Sequence, residues 1–401
     1  MRHALLVAAL TLAAPTAARA ADFGEFPSSS TGDGVGCLRV TGEPGGLAYG
    51  HGLSGRTSLL RATPAGLQPA DAPALEPYGS CTEIALRPGG AGIATYFYAN
   101  EPGDSGVRVL LREGGFWGAP VEPFGDPGQA GLDALAVDIS DAGAAVVAAL
   151  PRGERSSPLR SGQGAGRWEV TAVRRAPGGG LGSVETRVRR ASAVGRTSVQ
   201  AGVTAAGETV VAWSMIPETD APRELWASIA APGGAFSAPV RIGTPSGSFA
   251  LAVGDGGHAL LAFPSRKQLL VAERLPGAGF GSALPVGAAD DPLLVTPAAA
   301  VRADGAAAVG WVDLMDGRVL AVVRPGPGGF GQPVQLARRV PLGIDRVLLD
   351  LFLGDSALEP EEDVQPVAVT FARGDRAVLA WAASAGRDGV SPSFRPSPRC
   401  R

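Results

Sequence analysis

The segment Gly207-Glu208-Thr209-Val210-Val211-Ala212-Trp213 decides the fold, because versions of it recur along the whole chain. It joins a turn ending in glycine to a short run of β-forming residues and a closing aromatic side chain. Residues 257–263 and 305–311 are close copies, and residues 375–381 repeat the pattern with aspartate at the turn. With the degenerate copies included, the turns of successive units are marked by Gly46, Gly92, Gly143, Gly207, Gly257, Gly305 and Asp375.

A second segment recurs between these turns and consists of a Gly-Gly turn followed by Phe-Gly-x-Pro. Its clearest copy is Gly328-Gly329-Phe330-Gly331-Gln332-Pro333, and residues 114–121, 233–240 and 279–285 are further copies. Successive turn markers lie 46 to 70 residues apart, near the ~40 to 50 residues of a four-stranded propeller blade. Each unit therefore predicts four antiparallel strands, a to d, joined by turns.

Stacking explains why such units should assemble. A lone four-stranded sheet leaves both faces uncovered, whereas sheets arranged around an axis bury their faces on one another. We therefore predict an all-β fold, a seven-bladed β-propeller of four-stranded antiparallel blades. Six or eight blades are the alternatives, because the units of 64 and 70 residues have room for extra strands. The side chains expected to pack between blades are Trp213, Phe263, Trp311 and Trp381.

The N-terminus carries two signals. Arg2, an apolar run over residues 4–14 and the small-residue site Ala18-Arg19-Ala20 are typical of a secretory signal peptide over residues 1–20. Residues 21–401 are then a single propeller domain, and the expected localisation is secreted, or extracellular. The last unit lacks a Phe-Gly-x-Pro segment after Trp381, whereas residues 23–27 resemble one. We expect an N-terminal strand to supply it and close the ring.

Composition narrows the function classes. The chain of 401 residues has 58 Gly and 34 Pro, but its 45% hydrophobic and 18% charged residues favour a folded protein over a disordered one. A formal net charge of -3 gives no electrostatic case for binding nucleic acid. Lys267 is the single lysine among 35 basic residues. We interpret this arginine bias as a coding habit more than as a phosphate site.

The cysteines are few. Cys37, Cys81 and Cys400 follow the predicted cleavage site, and an odd number in an oxidising compartment suggests one disulfide and one remaining thiol. Cys37 and Cys81 lie at equivalent distances before the turns of neighbouring units, so the repeat favours this pair. All three pairings stay open on sequence alone.

This repeat organisation resembles that of secreted bacterial β-propellers. The resemblance is one of architecture, because the chain lacks a Trp-Asp blade ending and the Ser-x-Asp-x-Gly-x-Thr-Trp box of sialidase-like propellers. Architecture of this kind hosts many functions, so a functional prediction has to come from sites.

Loop lengths indicate where recognition would occur. The a-to-b and c-to-d turns are short and uniform, whereas several b-to-c and d-to-a connections on the other face are long, which is typical of either a recognition face or neutral insertions. The candidate binding residues in these loops are Arg152, Arg155, Arg160, Glu218, Asp220 and Arg223. The candidates for catalysis are Glu83, Asp133 and Asp138 near predicted inner strands and Tyr49, Tyr96 and Tyr98 on early b strands, and no motif separates them from surface residues.

These observations favour a secreted, monomeric, non-catalytic binding or scaffold protein without cofactor or metal. Its partner would be an unknown protein or glycan, with no nucleic-acid binding and no membrane insertion. The first alternative is an extracellular carbohydrate-active enzyme, a glycosidase or lyase, and a purely structural surface protein is the second. Two carboxylates clustered in a concave pocket would favour the enzyme.

Overall fold

The computed structural model describes most of the chain in separate ranges. These are residues 3–9, 28–31, 35–41, 47–52, 57–63, 66–70, 83–87, 89–101, 104–124, 132–151, 166–182, 186–193, 198–217, 221–290, 295–313, 317–326, 328–337, 367–372 and 376–384.

Every regular element in these ranges is a β-strand. In chain order the strands are β1 (His3–Ala9), β2 (Ser28–Thr31), β3 (Val35–Thr41), β4 (Leu47–Gly52), β5 (Thr57–Thr63), β6 (Gly66–Ala70), β7 (Glu83–Leu86), β8 (Gly92–Glu101), β9 (Asp104–Glu113), β10 (Phe116–Trp117), β11 (Leu132–Ile139), β12 (Ala145–Pro151), β13 (Gly166–Arg175) and β14 (Thr186–Ala193). They continue as β15 (Ser198–Val203), β16 (Thr209–Met215), β17 (Glu224–Ala230), β18 (Val240–Gly243), β19 (Ala250–Val253), β20 (Ala259–Ser265), β21 (Gln268–Arg274), β22 (Leu284–Ala288), β23 (Val295–Val301), β24 (Ala307–Asp313), β25 (Arg318–Arg324), β26 (Val334–Ala337), β27 (Val367–Ala372) and β28 (Arg376–Ser384).

The strands pair into four-stranded antiparallel sheets. Four consecutive strands make each of sheet 1 (β3 to β6), sheet 2 (β7 to β10), sheet 3 (β11 to β14), sheet 4 (β15 to β18), sheet 5 (β19 to β22) and sheet 6 (β23 to β26). Sheet 7 has the order β2-β1-β28-β27 and joins the two ends of the chain. The predicted all-β class and the four-stranded antiparallel units are confirmed.

The turn between the first two strands has one geometry throughout sheets 2 to 6. Gly143 has φ 80° and donates its N–H to the carbonyl oxygen of Ser140 at 3.0 Å, and Gly207, Gly257 and Gly305 repeat this arrangement. Positive φ explains why glycine marks the turn. In sheet 2 the equivalent residue is Gly90, with φ 87°, two residues before the approximate marker Gly92, which begins β8.

The core lies between neighbouring sheets, as face-to-face stacking requires. One cluster joins Val146, Ala148 and Leu150 of sheet 3 to Val211 and Trp213 of sheet 4, and comparable clusters join the following sheets. The prediction that the strand-b aromatics are core is confirmed for Trp213, Phe263 and Trp311, which are at most 1% exposed. The side chain of Trp381 lies outside the described residues.

Small residues on the outer strands make room for these aromatics. A Cβ on Gly243 of sheet 4 would lie 2.7 Å from Cζ of Phe263 in sheet 5. Likewise, a Cβ on Gly287 of sheet 5 would lie 2.6 Å from Cζ2 of Trp311 in sheet 6. The rings of Phe263 and Trp311 therefore each pack on a glycine of the preceding sheet.

Arginines at the end of the third strand also join the sheets. Arg274 of sheet 5 donates from Nη1 and Nη2 to the two carboxylate oxygens of Glu208 in sheet 4, both at 2.7 Å. The same guanidinium donates to the carbonyl oxygens of Gly257 and Ala278, each at 2.8 Å, which ties together two turns of its own sheet. Arg175 and Arg324 hold the corresponding places in sheets 3 and 6 and pair with Glu113 and Glu273.

Sheet 4 has Ala230 where sheets 5 and 6 have arginine. Arg174 of sheet 3 fills the place, because it donates to the carbonyl oxygens of Gly234 at 2.7 Å and Ala231 at 3.4 Å. Its guanidinium lies 5.3 Å from the ring centre of Phe236, much as Arg324 lies 5.1 Å from that of Phe330. The arginine bias of the sequence thus has a structural use at the sheet contacts, which the interpretation as a coding habit missed.

Sheet 7 contains N-terminal strands. β1 pairs with β28 from His3 opposite Ser384 to Ala9 opposite Val378, and β2 pairs with β1. The strand β1 falls within the predicted signal peptide, whereas the predicted closing segment, residues 23–27, lies outside the described residues. The first strands of successive sheets contact each other in the series β3, β7, β11, β15, β19, β23 and β27, and β27 also contacts β3.

Candidate functional site

The first strands of six sheets line a cavity of about 360 Å³. Residues of β7, β11, β15, β19, β23 and β27 contribute to it, from Glu83 at the start of β7 to the turns that follow the first strands. Small apolar side chains such as Ala252, Pro297, Ala299 and Val369 are among the lining residues, but the surface of the wall as a whole is more polar than apolar. A cavity of this size that combines apolar side chains with polar groups can hold a small molecule.

Charged side chains gather where the cavity reaches the a-to-b turns. Arg87, which follows β7, donates from Nη2 to Oδ1 of Asp138 on β11 at 2.8 Å and from Nε to the carbonyl oxygen of Ile139. Asp138 accepts the backbone N–H of Val203 on Oδ2 at 2.9 Å. One ion pair thus connects sheets 2, 3 and 4.

Glycine beside this ion pair brings two first strands close together. A Cβ on Gly202 of β15 would lie 2.3 Å from Cγ2 of Val253 on β19, whereas its 3.5 Å distance from Oδ2 of Asp138 is an ordinary contact. A larger side chain at residue 202 would therefore separate β15 from β19.

Two further carboxyl groups lie beside this ion pair. Asp141 and Asp255 occupy a-to-b turns of sheets 3 and 5, and both line the cavity. The two carboxyl groups are close enough for the negative charge of Asp141 to raise the pKa of Asp255. Asp255 Oδ1 is buried without a hydrogen-bond partner, which is costly for an acceptor.

The surroundings raise the pKa of both Asp138 and Asp255. Burial raises the pKa of Asp138 above its ordinary value, although Arg87 and two backbone N–H groups act in the opposite direction. Burial also raises the pKa of Asp255, and the negative charge of Asp141 adds to the increase while Arg87 opposes it. Desolvation and like charge both disfavour an ionised carboxylate.

The predicted binding residues are mostly outside the structural description. Arg152, Arg155, Arg160, Glu218 and Asp220 lie outside the described residues, so their role stays a prediction. Arg223 is half-buried just before β17 and does not line the cavity. The pairing of Cys37 with Cys81 is also untested, because Cys37 lies on β3 and Cys81 falls outside the described ranges.

The catalytic candidates separate into two groups. Glu83 and Asp138 line the cavity, whereas Tyr96 is buried on β8 away from it. The side chains of Asp133, Tyr49 and Tyr98 lie outside the described residues.

Sequence reasoning missed Arg87, Asp141 and Asp255. A signal for the two aspartates was present, since each stands two residues before a turn glycine, Gly143 and Gly257, in the pattern Asp-x-Gly. Equivalent turns of sheets that line one cavity lie near each other, so aspartate in the turns of both sheet 3 and sheet 5 was a signal of proximity. Arg87 stands three residues before Gly90, and Arg302 holds the same place before Gly305, so the repeat marked this position in sheets 2 and 6 alone among sheets 2 to 6.

Within the part of the chain that the structure describes, no three His, Cys, Asp or Glu side chains are placed to hold a metal ion. The same ranges contain no helix with the length and apolar character needed to cross a membrane.

Comparison with known proteins gives distant structural similarity. No protein-family model and no curated protein matches the chain. A Hadza microbial sialidase aligns over 95% of this chain and 89% of its own, with 11% identity and a TM-score of 0.44. The fucose-specific lectin from Aleuria aurantia covers 75% of this chain and 97% of its own (11% identity, TM-score 0.43), and AofleA from Arthrobotrys oligospora covers 75% and 87% (9% identity, TM-score 0.44). At such scores these proteins give no information on the ligand or activity of this chain.

Proposed function

We propose that this protein is a secreted, non-catalytic β-propeller binding protein that holds a small ligand, or the end group of a larger protein or glycan partner, in its central cavity. The cavity carries the proposal: about 360 Å³ of space is walled by first strands, with charged groups concentrated at the a-to-b turns. The long b-to-c and d-to-a loops on the opposite face would supply the recognition surface for a larger partner.

The proposed architecture is a closed ring of seven blades, completed by N-terminal sequence in the last blade. The contacts of the first strands, which run from β3 to β27 and back to β3, support it. Each blade covers the face of its neighbours, so the ring needs no partner chain, and we propose a monomer.

Secretion is tested at the N-terminus. We expect N-terminal sequencing of the protein recovered from the medium of an exporting host to begin at Ala21. Cleavage there would remove β1, and the last blade would have to be completed by the residues that follow. A secreted or cell-retained protein that keeps Met1-Arg2-His3 would contradict the signal peptide and favour His3–Ala9 as a structural strand.

One observation supports the enzyme alternative: Asp141 and Asp255 place two carboxyl groups in the same cavity. Glycoside hydrolysis needs carboxyl groups about 5 to 9 Å apart, with the sugar or water between them. The proposal of a binding protein rests on the cavity as a whole, and hydrolysis of a glycan that is lost in both Asp141→Asn and Asp255→Asn would favour the enzyme instead.

The test is a binding screen with the full chain, using a small-molecule library and a glycan array that includes fucosylated and sialylated glycans. Gln200→Trp fills the cavity from a lining position on β15, and Gln335→Trp is the matched control on the exposed outer strand β26. We expect ligands to bind the wild type and Gln335→Trp but not Gln200→Trp. Binding that survives Gln200→Trp, or flat responses throughout, would reject the cavity as the site, the latter in favour of a structural role.

A further inference from the structure

The charge of the cavity points to the class of ligand. Near the a-to-b turns, the described lining holds three carboxyl groups (Asp138, Asp141 and Asp255) and two guanidinium groups (Arg87 and Arg302), of which Arg87 is paired with Asp138. Arg302 is also paired with Asp304, outside the lining, at 3.0 Å. The end of the cavity near the a-to-b turns therefore carries surplus negative charge.

The hydrogen bonds at this end of the cavity also leave one negative group without a donor. Asp138 uses one oxygen for Arg87 and the other for the N–H of Val203. Asp255 differs, because its Oδ1 is buried without a donor, while Arg87 is engaged with Asp138 and with the carbonyl oxygen of Ile139. A buried carboxylate oxygen is best satisfied by a charged N–H donor, since such hydrogen bonds are the stronger kind.

The walls specify the rest of the ligand. Between Glu83 and the turns, the side chains of β23 and β27 that line the cavity are mostly alanine and valine, which offer apolar contact to a short aliphatic stem. These strands also stand at the edges of their sheets, so their backbone groups add polar surface to the same wall.

We infer that the cavity takes a small organic cation, an ammonium or guanidinium group on a short aliphatic stem, with the cationic group against Asp255 and Asp141. This rests on the proposed function, because the cavity is the binding site and the carboxylates decide only the sign of the ligand. The stem lies along the alanine and valine wall. Arg87 stays paired with Asp138 and holds the carboxylate end together.

The experiment is a ligand-observed NMR titration of the full chain near pH 7 with four matched probes: n-butylguanidinium, n-butylammonium, 1-butanol and butyrate. We expect the two cations to bind at least about tenfold more tightly than 1-butanol, the size of one charge-assisted hydrogen bond, and butyrate to bind more weakly than 1-butanol. Gln200→Trp should abolish binding of all probes that bind.

The variants locate the cationic group. Asp255→Asn should reduce cation affinity about tenfold and leave 1-butanol unchanged, and Asp141→Asn, at an exposed carboxylate, should act in the same direction. Asp290→Asn is the matched control, since Asp290 is exposed, pairs with Arg318 and does not line the cavity. Two variants keep the test decisive if one of them fails to fold.

The outcomes separate the two proposals. Equal or tighter binding of 1-butanol or butyrate, blocked by Gln200→Trp, would overturn the cation inference and leave the cavity as a binding site. Cation binding that persists in Gln200→Trp, or that is unchanged in both aspartate variants, would also overturn it. If no probe binds, the cation inference is rejected, and the library screen decides whether the cavity binds anything else.

Discussion

Arg274 and Arg87 are both guanidinium groups that connect neighbouring sheets, but their surroundings differ. Arg274 is 2% exposed and meets one glutamate with both carboxylate oxygens, together with two turn carbonyls. Arg87 meets Asp138 directly and has Asp141 and Asp255 within electrostatic range, at a cavity rather than inside a sheet contact. A charged group that is fully paired within a sheet contact is structural, whereas a charged group that lacks a partner at a cavity is where we propose that a ligand binds.

The largest effect should come from removing the matched arginine. Arg274→Ala leaves the carboxylate of Glu208 and two carbonyl oxygens without their donor, so we expect the free energy of unfolding to fall by about 3 to 5 kcal/mol. Urea denaturation measures this. Arg241→Ala is the control, because the side chain of Arg241 is 47% exposed and its Nη2 lies 3.4 Å from Oε1 of Glu224. This variant should lower the free energy of unfolding by less than about 1 kcal/mol. Equal costs for the two variants would show that Arg274 is not a specific connector.

A charge swap tests whether Arg174 replaces the arginine missing at Ala230. Arg174→Glu and Ala230→Arg should each lower the free energy of unfolding by about 1 to 3 kcal/mol, because one loses its turn carbonyls and the other adds a second buried cation. Together they recreate the Glu273 to Arg324 arrangement of sheets 5 and 6. We expect the double variant to recover most of the loss in a denaturation-based double-mutant cycle. Additive losses would contradict the replacement.

The smallest effect concerns the cavity and depends on pH. The pKa of Asp255 is raised above its ordinary value of 3.8, by burial first and by Asp141 as well, against the pull of Arg87. The native state therefore holds this proton more tightly than the unfolded state, so stability is fully present at low pH and is lost as pH rises through the raised pKa. Asp138, which also has a raised pKa, remains in both proteins and cancels in their comparison.

Asp255→Asn should remove that loss. Relative to the wild type, its free energy of unfolding should rise as pH increases above about 4, and the gain should level off below about 1 kcal/mol because the carboxyl group is partly solvated. Denaturation between pH 4 and 8 measures the difference. Asp290→Asn, at an exposed position, should show no such trend. A variant less stable than the wild type at neutral pH would mean that Asp255 is a matched contact like Glu208.

The sequence predicted the parts of the fold that repeat. Positive φ at the turns requires glycine, and the sheet contacts require aromatics such as Trp213, so both leave a periodic mark. Charged contacts leave a weaker mark in the sequence. In sheet 4 the repeat position of the arginine holds Ala230, and Arg174 of sheet 3 makes the contact instead, which the repeat does not predict. The cavity cluster depends on which turns meet in space, and among the turns of sheets 2 to 6 the position of Arg87 carries arginine again only at Arg302, so the repeat marks it weakly.

The position of Arg174 limits how the chain can be rearranged. A unit cut out as sheet 4 alone would lose the cation over Phe236 and the donor to Gly234, since both belong to sheet 3. Sheets 5 and 6 carry their own arginines in this place. A grafted sheet 5 or 6 would therefore bring its own arginine and would need a glutamate on the sheet before it, as Glu208 and Glu273 provide here, whereas sheet 4 would need the arginine of its predecessor.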